Sequence, residues 1–94
     1  MRLKEFEVSA IKDAVYALDK TAKIFLFGSR VDDKKRGGDI DIIIISEKLK
    51  YGDKLKIYSR IFKTLEEQKI DIVLYNGKDK NFFVSDSLKE SIQL

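Results

Sequence analysis

Two aspartates, Asp39 and Asp41, stand at the start of the apolar segment DIDIIIIS. Residues two apart on a β-strand point to the same face, so these carboxylates would lie side by side, opposite Ile40, Ile42 and Ile44. Neighbouring carboxylates repel each other and lose solvation at the edge of an apolar core, and a divalent cation bound by both relieves that cost. The pair is therefore a candidate metal site; the alternative is that both aspartates are simply the solvated start of a strand.

Two further segments carry residues that suit the same chemistry. Gly28 and Ser29 end an apolar run, where glycine lets backbone approach a phosphate and free amides and the serine hydroxyl can bind its oxygens. Asp71 opens another apolar run, KIDIVLY, although aspartate is depleted in strands. A Gly-Ser dipeptide alone is usually only a turn. The joint arrangement predicts that three strands meet at polar ends and form a site for metal-bound phosphates.

The composition limits the chemistry that these residues can perform. The 94 residues include neither cysteine nor histidine, which excludes disulfides, thiolate nucleophiles, cysteine zinc sites and histidine general bases. Any metal must be bound by oxygen ligands, which favours Mg²⁺ or Mn²⁺. The net charge of +3 is ordinary for a small domain, and no RNA-binding aromatic motif accompanies it, so we expect no direct nucleic-acid binding.

The length and the hydropathy indicate one domain in water. We expect a single domain over residues 1–94, because a chain of this size has no room for two cores. No apolar run approaches the roughly 20 residues that span a bilayer, and glutamates occupy the N-terminal segment where a signal peptide would be apolar. We therefore expect a cytoplasmic protein that makes no contact with a membrane.

Hydrophobic spacing predicts the elements in the first half of the chain. A helix is predicted over residues 3–20 and a strand over residues 23–27. Residues 29–38 are predicted to form a loop or a short helical turn. A strand over residues 39–46 follows, and its uninterrupted isoleucines indicate a central position in the sheet, because an edge strand would usually alternate.

The second half supplies a helix in GDKLKIYSRIFKTLEEQ, a third strand in KIDIVLYNG and a last helix within residues 79–94. The predicted apolar faces are Leu55, Tyr58, Ile61, Phe62 and Leu65 on the former helix, and Val84, Leu88 and Ile92 on the latter. The loop between the first two strands is too short for a crossover helix, so we expect these strands to be antiparallel. The predicted fold class is α/β, a small mixed sheet flanked by helices.

The segment GSRVDDKKRGGDIDI resembles the signature of the polymerase-β-like nucleotidyltransferases, in which Gly-Ser, a polar loop and Asp-x-Asp between aliphatic residues follow in order. IDIV is similar to the strand that carries the third carboxylate of that family. The resemblance is closest to the minimal nucleotidyltransferase group and covers the chain from the first helix through Leu74. Two positions depart from the group: Gly38 replaces a frequent serine, with loss of a hydroxyl, and Val31 replaces a usual alanine.

The resemblance implies a magnesium-dependent enzyme, with two Mg²⁺ ions or Mn²⁺ in their place. Such an enzyme joins the nucleoside monophosphate of ATP, or of another nucleoside triphosphate, to an acceptor hydroxyl and releases pyrophosphate. By this resemblance Asp39 and Asp41 would bind the two ions, and Asp71 would help to bind one ion and favour deprotonation of the hydroxyl. Gly28 and Ser29 would hold the β- and γ-phosphates.

The basic residues that follow the Gly-Ser pair allow two interpretations each. Arg30 either binds a phosphate of the nucleotide, as the arginine after Gly-Ser in the group suggests, or is solvated. The run Lys34, Lys35 and Arg36 is either a solvated loop or a patch that steers the triphosphate.

The expected partner also comes from the resemblance. Minimal nucleotidyltransferases are typically paired with an all-helical HEPN-domain protein, so the resemblance implies an antitoxin that AMPylates a tyrosine of such a partner. Two other interpretations remain open: an antitoxin with a silent site that neutralises its partner by occlusion, and an enzyme that modifies a small hydroxylated molecule. A P-loop is excluded, because no segment ends in Gly-Lys-Ser/Thr.

Overall fold

The structure is a computed structural model that describes residues 1–34, 38–65 and 69–94. Within these residues, helices and strands follow one another in an order that matches the prediction except for one additional strand. The elements are α1 (Glu5–Tyr16), β1 (Lys23–Phe27), a 3₁₀ turn (Gly28–Val31), β2 (Ile40–Ile45), α2 (Asp53–Ile61), β3 (Ile70–Tyr75), α3 (Phe82–Lys89) and β4 (Ile92–Gln93). None of the described helices combines the length and the apolar character that a membrane span requires.

The four strands form one mixed sheet in the order β3-β2-β1-β4. β1 is antiparallel to β2 and to β4, whereas β2 and β3 are parallel. The central position of β2 and its antiparallel connection to β1 are confirmed, and so is the α/β class with a mixed sheet. The parallel pair is joined through α2, the usual way to connect parallel neighbours.

The hydrophobic core lies on one face of this sheet. Alternate residues of β1, β2 and β3 point to that face, because strand side chains alternate between faces, and α1 and α2 pack there. The buried residues of this core include Ile24, Leu26, Ile40, Ile42, Ile44, Ile70 and Ile72 from the strands and Ile11, Ala14, Val15, Ile57 and Ile61 from the helices. The isoleucines opposite Asp41 are thus the inner surface of the core, as predicted.

The second face of the sheet carries the acidic residues and α3. Phe27 of β1 points to this face, since its neighbour Leu26 points into the core, and the ring of Phe83 in α3 packs edge-on against it with 5.9 Å between the centroids. Ile43 and Val84 are also buried, outside the main core cluster. Asp41 therefore shares its face with an aromatic contact from α3.

The first helix is shorter than the predicted range of residues 3–20 and ends at Tyr16. The side chain of Asp19 accepts hydrogen bonds from the backbone N–H and the hydroxyl of Thr21. Aspartate side chains that bond to nearby backbone groups compete with helical hydrogen bonds. This local competition ends the helical segment before the predicted boundary.

The apolar face of α2 and of the turn after it was predicted in part. Ile61 and Leu65 are buried and Tyr58 packs against the core, as predicted. Ile57 is buried although it was not predicted, whereas Leu55 is 77% exposed and Phe62 is 43% exposed. Each helical residue advances by about 100°, so Leu55 lies about 200° from Ile57 and points away from the core. The sequence does not reveal this geometry, because leucine and phenylalanine are apolar residues and are assigned to the core wherever they stand on the helix.

The last helix predicted within residues 79–94 is present, but its predicted apolar face included Ile92, and the segment also contains a strand. α3 begins after Asn81, whose side chain accepts a hydrogen bond from the N–H of Val84, a standard N-cap. Ile92 pairs with Leu26 in the two-residue strand β4 at the edge of the sheet. Ile92 thus belongs to the sheet and not to the apolar face of the helix.

Candidate active site

The Gly-Ser turn directly follows β1 and lies against the first carboxylate of β2. Gly28 has φ +78°, a conformation that residues with a side chain rarely adopt. A Cβ added to Gly28 would lie 2.5 Å from Oδ2 of Asp41, far inside contact distance. The glycine therefore does two things here: it allows the turn, and it lets the backbone approach the carboxylate of Asp41.

The end of the loop, at Gly38, is equally tight. Gly38 has φ +90°, and a Cβ at this position would overlap the hydroxyl oxygen of Ser29. The Ser29 side chain thus lies against the residue before Asp39. The minimal group often has a serine at this position, but here the side chain of Ser29 leaves space only for a glycine.

Asp41 and Asp71 lie directly opposite each other on the parallel strands β2 and β3. Burial raises the pKa of the Asp41 carboxyl, and the negative charges of Asp71 and Asp39 and a side-chain hydrogen bond with Asp71 raise it further. Two carboxyl groups this close favour a shared proton or a bound cation. The structure therefore brings Asp71 next to Asp41, one member of the predicted Asp-x-Asp pair.

Asp39 precedes β2 and is engaged by a cation of the chain itself. Nζ of Lys69 lies 3.3 Å from Oδ2 of Asp39. Both side chains are substantially exposed, and the bond to Asp39 raises the pKa of Lys69. The backbone N–H of Ile40 donates to the carbonyl of Lys69, so the pairing of β2 with β3 also sets these two residues side by side.

Lys69 was not singled out in the sequence, although a signal was present. Asp39 and Lys69 each stand one residue before the isoleucine that starts a strand. Once β2 and β3 are aligned in parallel with Ile40 opposite Ile70, the residues before them become neighbours. The register of β2 against β3 was needed to predict this contact, and residue types alone do not give that register.

The residues present fit a hard divalent cation in their chemistry. Asp39, Asp41 and Asp71 supply only oxygen donors, and the raised pKa of Asp41 marks an excess of negative charge that a cation would neutralise. Among the described residues, no three carboxylates are already gathered as one ligand cluster. Asp39 instead faces Lys69 through its Oδ2, so Lys69 competes with a cation for this carboxylate.

Arg30 lies beside the site, but the two nitrogens whose bonds are described point to backbone carbonyls. Nε donates to the carbonyl of Gly38 at 3.1 Å, and Nη1 donates to the carbonyl of Arg2 at 2.9 Å. Its role in nucleotide binding stays a prediction. Of the basic run, Lys34 donates its backbone N–H to Asp32, and Lys35 and Arg36 lie outside the described residues.

Two open grooves border the strand ends. One of about 420 Å³ lies between the Gly-Ser turn and α3 and includes Phe27, Gly28, Ser29 and Asp86. A larger groove of about 850 Å³ lies at the other end of β2, next to Asp19 and Ser46. The smaller groove is lined by the Gly-Ser turn, whose Gly28 lies against Asp41. Its position beside that turn, and not its size, makes it relevant to the chemistry.

The comparison with known families decides the assignment. The family model described as polymerase beta, nucleotidyltransferase, matches residues 9–94. The chain belongs to the polymerase-β nucleotidyltransferase family. The matched range contains every element that forms the site, from the Gly-Ser turn through β2 to β3. A search of curated proteins gave no match.

Family membership gives the activity at a general level. The polymerase-β nucleotidyltransferases transfer a nucleotidyl group from a nucleoside triphosphate, generally with a divalent metal. Nucleotidyl transfer is accordingly the activity that the family assigns to this chain, with a nucleoside triphosphate as the substrate class.

Proposed function

We propose that this protein is a magnesium-dependent nucleotidyltransferase that moves AMP, or another nucleoside monophosphate, from a triphosphate to an acceptor hydroxyl. The acceptor oxygen forms a bond to the α-phosphorus, the bond from that phosphorus to the bridging oxygen breaks, and pyrophosphate leaves. The observation that carries the proposal is the approach of Gly28 backbone and of Asp71 to one carboxylate, that of Asp41.

Each residue has a role that follows from its place. Gly28 and Ser29 would bind the β- and γ-phosphates, because the turn presents backbone amides and a hydroxyl at the groove. Asp39, Asp41 and Asp71 would hold the metal ions, which supply positive charge to the phosphates. Asp71 is exposed, so its carboxylate can also accept a hydrogen bond from the incoming hydroxyl and take up its proton.

We further propose that the acceptor is a tyrosine of an all-helical HEPN-domain partner, which the protein AMPylates as an antitoxin. The resemblance to minimal nucleotidyltransferases motivates this choice. Its structural support is the apolar surface beside the site: Phe82 is 80% exposed and Phe83 is 57% exposed. Phe83 packs on Phe27, which lies opposite Asp41. Exposed aromatic side chains next to a reaction centre suit a protein acceptor.

The test is incubation of the purified protein with ATP labelled at the α-phosphate, Mg²⁺ and the product of the neighbouring gene, which this proposal predicts to be a HEPN-domain protein. We expect label on a tyrosine of the partner. Asp41→Asn and Asp71→Asn should each reduce transfer by about 100-fold or more, as expected when a metal ligand is lost. Asp13→Asn, which removes an exposed carboxylate from α1, is the matched control and should transfer at the wild-type rate.

The same assay separates the other interpretations. A partner that is inhibited yet carries no label with any of the four ribonucleoside triphosphates would favour an antitoxin that acts by occlusion. Transfer to a small hydroxylated molecule in the absence of a protein partner would overturn the choice of acceptor but keep the nucleotidyl transfer. Wild-type rates in both aspartate variants would overturn the proposed site.

A further inference from the structure

The segment before α1 binds the carbonyl groups of the Gly-Ser turn through a single residue, Arg2. Its backbone N–H donates to the carbonyl of Arg30 at 2.7 Å. Its Nη2 donates to the carbonyl of Ser29 at 2.9 Å, and its Nε donates to the carbonyl of Asp32 at 2.9 Å. One residue thus binds two carbonyls of the four-residue turn and the carbonyl of Asp32, which directly follows it.

Arg30 donates hydrogen bonds back to Arg2 and also to the residue before Asp39, on the other side of the site. Its Nη1 donates to the carbonyl of Arg2 and its Nε donates to the carbonyl of Gly38, the residue before Asp39. The two arginines form a continuous link, which we call the arginine clamp, from the N-terminal segment through the Ser29 turn to the start of β2. Both halves of the candidate site, the turn and the acidic strand, are attached to it.

The support matters because the Gly-Ser turn is a short element with little stability of its own. It is a four-residue 3₁₀ turn, and such turns have weaker hydrogen-bond geometry than an α-helix. It begins at a glycine, which has more backbone freedom to lose than any other residue. A guanidinium presents several donors in a rigid planar fork, so Arg2 can hold the carbonyls of Ser29 and Asp32 at a fixed separation.

We propose that Arg2 is a positioning residue for nucleotide binding, which holds the Ser29 turn in the conformation that receives the phosphates. This inference rests on the proposed function. Arg2 acts through the turn: its described donors point to backbone carbonyls, and its contribution depends on the geometry of the fork and not on its charge alone. A lysine at this position keeps the charge but cannot bind the carbonyls of Ser29 and Asp32 in the same way.

The experiment measures the dissociation constant of Mg-ATP by calorimetry for the wild type, Arg2→Ala and Arg2→Lys, with the partner protein present. Arg60→Ala, which removes an exposed arginine from α2, is the matched control. We expect both Arg2 variants to bind Mg-ATP about ten-fold more weakly, as for loss of one or two charge-assisted hydrogen bonds. Hydrogen exchange should show faster exchange of the amides of residues 29–32 in both variants, and Arg60→Ala should match the wild type.

Three results would overturn the inference, and each is distinguishable. If Arg2→Lys binds Mg-ATP as tightly as the wild type and Arg2→Ala binds it weakly, the charge of residue 2 is sufficient and the geometry of the guanidinium does not matter. Unchanged affinity in both variants, with faster exchange of the turn, means that the clamp stabilises the fold and does not position the nucleotide. If the wild type itself does not bind Mg-ATP, the proposed function fails together with the inference, whereas the first two results leave the proposed function intact.

Discussion

Asp19 and Asp41 are two poorly exposed aspartates at opposite ends of the sheet. Hydrogen-bond donors surround the carboxylate of Asp19, whereas other carboxylates surround that of Asp41. Asp19 accepts hydrogen bonds from the hydroxyl of Ser46 and from the N–H and hydroxyl of Thr21. These bonds lower the pKa of Asp19, although burial opposes them. Asp41 meets the carboxyl groups of Asp71 and Asp39, and burial together with those charges raises its pKa.

This is the difference expected between a structural carboxylate and a carboxylate that binds a cation, the role proposed for Asp41. The charge of Asp19 is already stabilised by donors, so the folded protein gains from it. The charge of Asp41 is a cost to the folded protein until a cation or a proton neutralises it. A carboxylate with a raised pKa beside like charges is accordingly a marker for a functional site, and the groove volumes alone would have pointed to the Asp19 end.

The largest change in stability is expected when the side chain of Asp19 is removed. Asp19→Ala should lower the free energy of unfolding by about 2–4 kcal/mol, because it leaves the donors of Ser46 and Thr21 without their acceptor. Urea unfolding of the variant measures this loss, and Asp13→Ala is the exposed control. Below the unfolding transition, Asp19→Ala should still transfer nucleotide; a stable but inactive variant would contradict the division between the two ends.

The opposite change is expected at Asp41. Asp41→Asn should raise the melting temperature of the metal-free protein by a few degrees, as expected when a partly buried charge beside like charges is removed. Thermal unfolding in EDTA measures this effect. Mg²⁺ should raise the melting temperature of the wild type and have little effect on the variant. A melting temperature that falls, as in Asp19→Ala, would show that Asp41 is a structural residue.

The two aspartates should also respond to pH in opposite directions. Asp19 has a lowered pKa, so its contribution is present above the unfolded pKa of about 3.9 and is lost as the pH falls through its folded pKa. Asp41 has a raised pKa, so its contribution to the stability of the folded protein is present at low pH. That contribution is lost as the pH rises through the pKa of Asp41 in the folded protein.

Melting curves in EDTA from about pH 3 to pH 7, a range that brackets the ordinary carboxylate pKa, measure both contributions. The stability gap between wild type and Asp19→Ala should narrow as the pH falls. The advantage of Asp41→Asn over the wild type should grow as the pH rises. Parallel curves for the wild type and Asp41→Asn would contradict the raised pKa.

The smallest effect is expected for Lys69. Lys69→Ala should increase the affinity for Mg²⁺ about two- to five-fold, because the exposed ion pair with Asp39 competes with the metal and exposed pairs are weak. Calorimetric titration with Mg²⁺ in the absence of nucleotide measures this affinity, and Lys63→Ala, which removes an exposed lysine from the turn after α2, is the control. A weaker affinity in Lys69→Ala would mean that Lys69 supports the metal site.

Much of the site could be predicted from local sequence, because its residues stand next to strong strand signals. β1 was predicted with its observed ends, and β2 within one residue at each end. Asp39, Asp41 and Asp71 stand out because aspartate is unusual at the start of an apolar strand. The approach of Asp71 to Asp41 could be predicted on the assumption that the strand ends meet.

The parts that could not be predicted depend on contacts between distant segments. β4 contains two residues, and its pairing with Leu26 is decided by the sheet and not by its own sequence. Arg2 lies 27 residues from Ser29 along the chain, so no local pattern relates them. The exposure of Leu55 depends on how α2 is rotated against the sheet. Each of these is a tertiary effect that overrides local preference.

The parallel alignment of β2 with β3 has a consequence for synthesis and folding. Asp71 reaches Asp41 only across a connection that includes the whole of α2, and contacts between residues far apart in the chain form slowly because the intervening loop must close first. A nascent chain that has emerged only as far as α2 possesses the Gly-Ser turn and the first two aspartates but lacks the third. The third carboxylate of the candidate site therefore arrives with β3, an edge strand of the sheet, after most of the core residues have been synthesised.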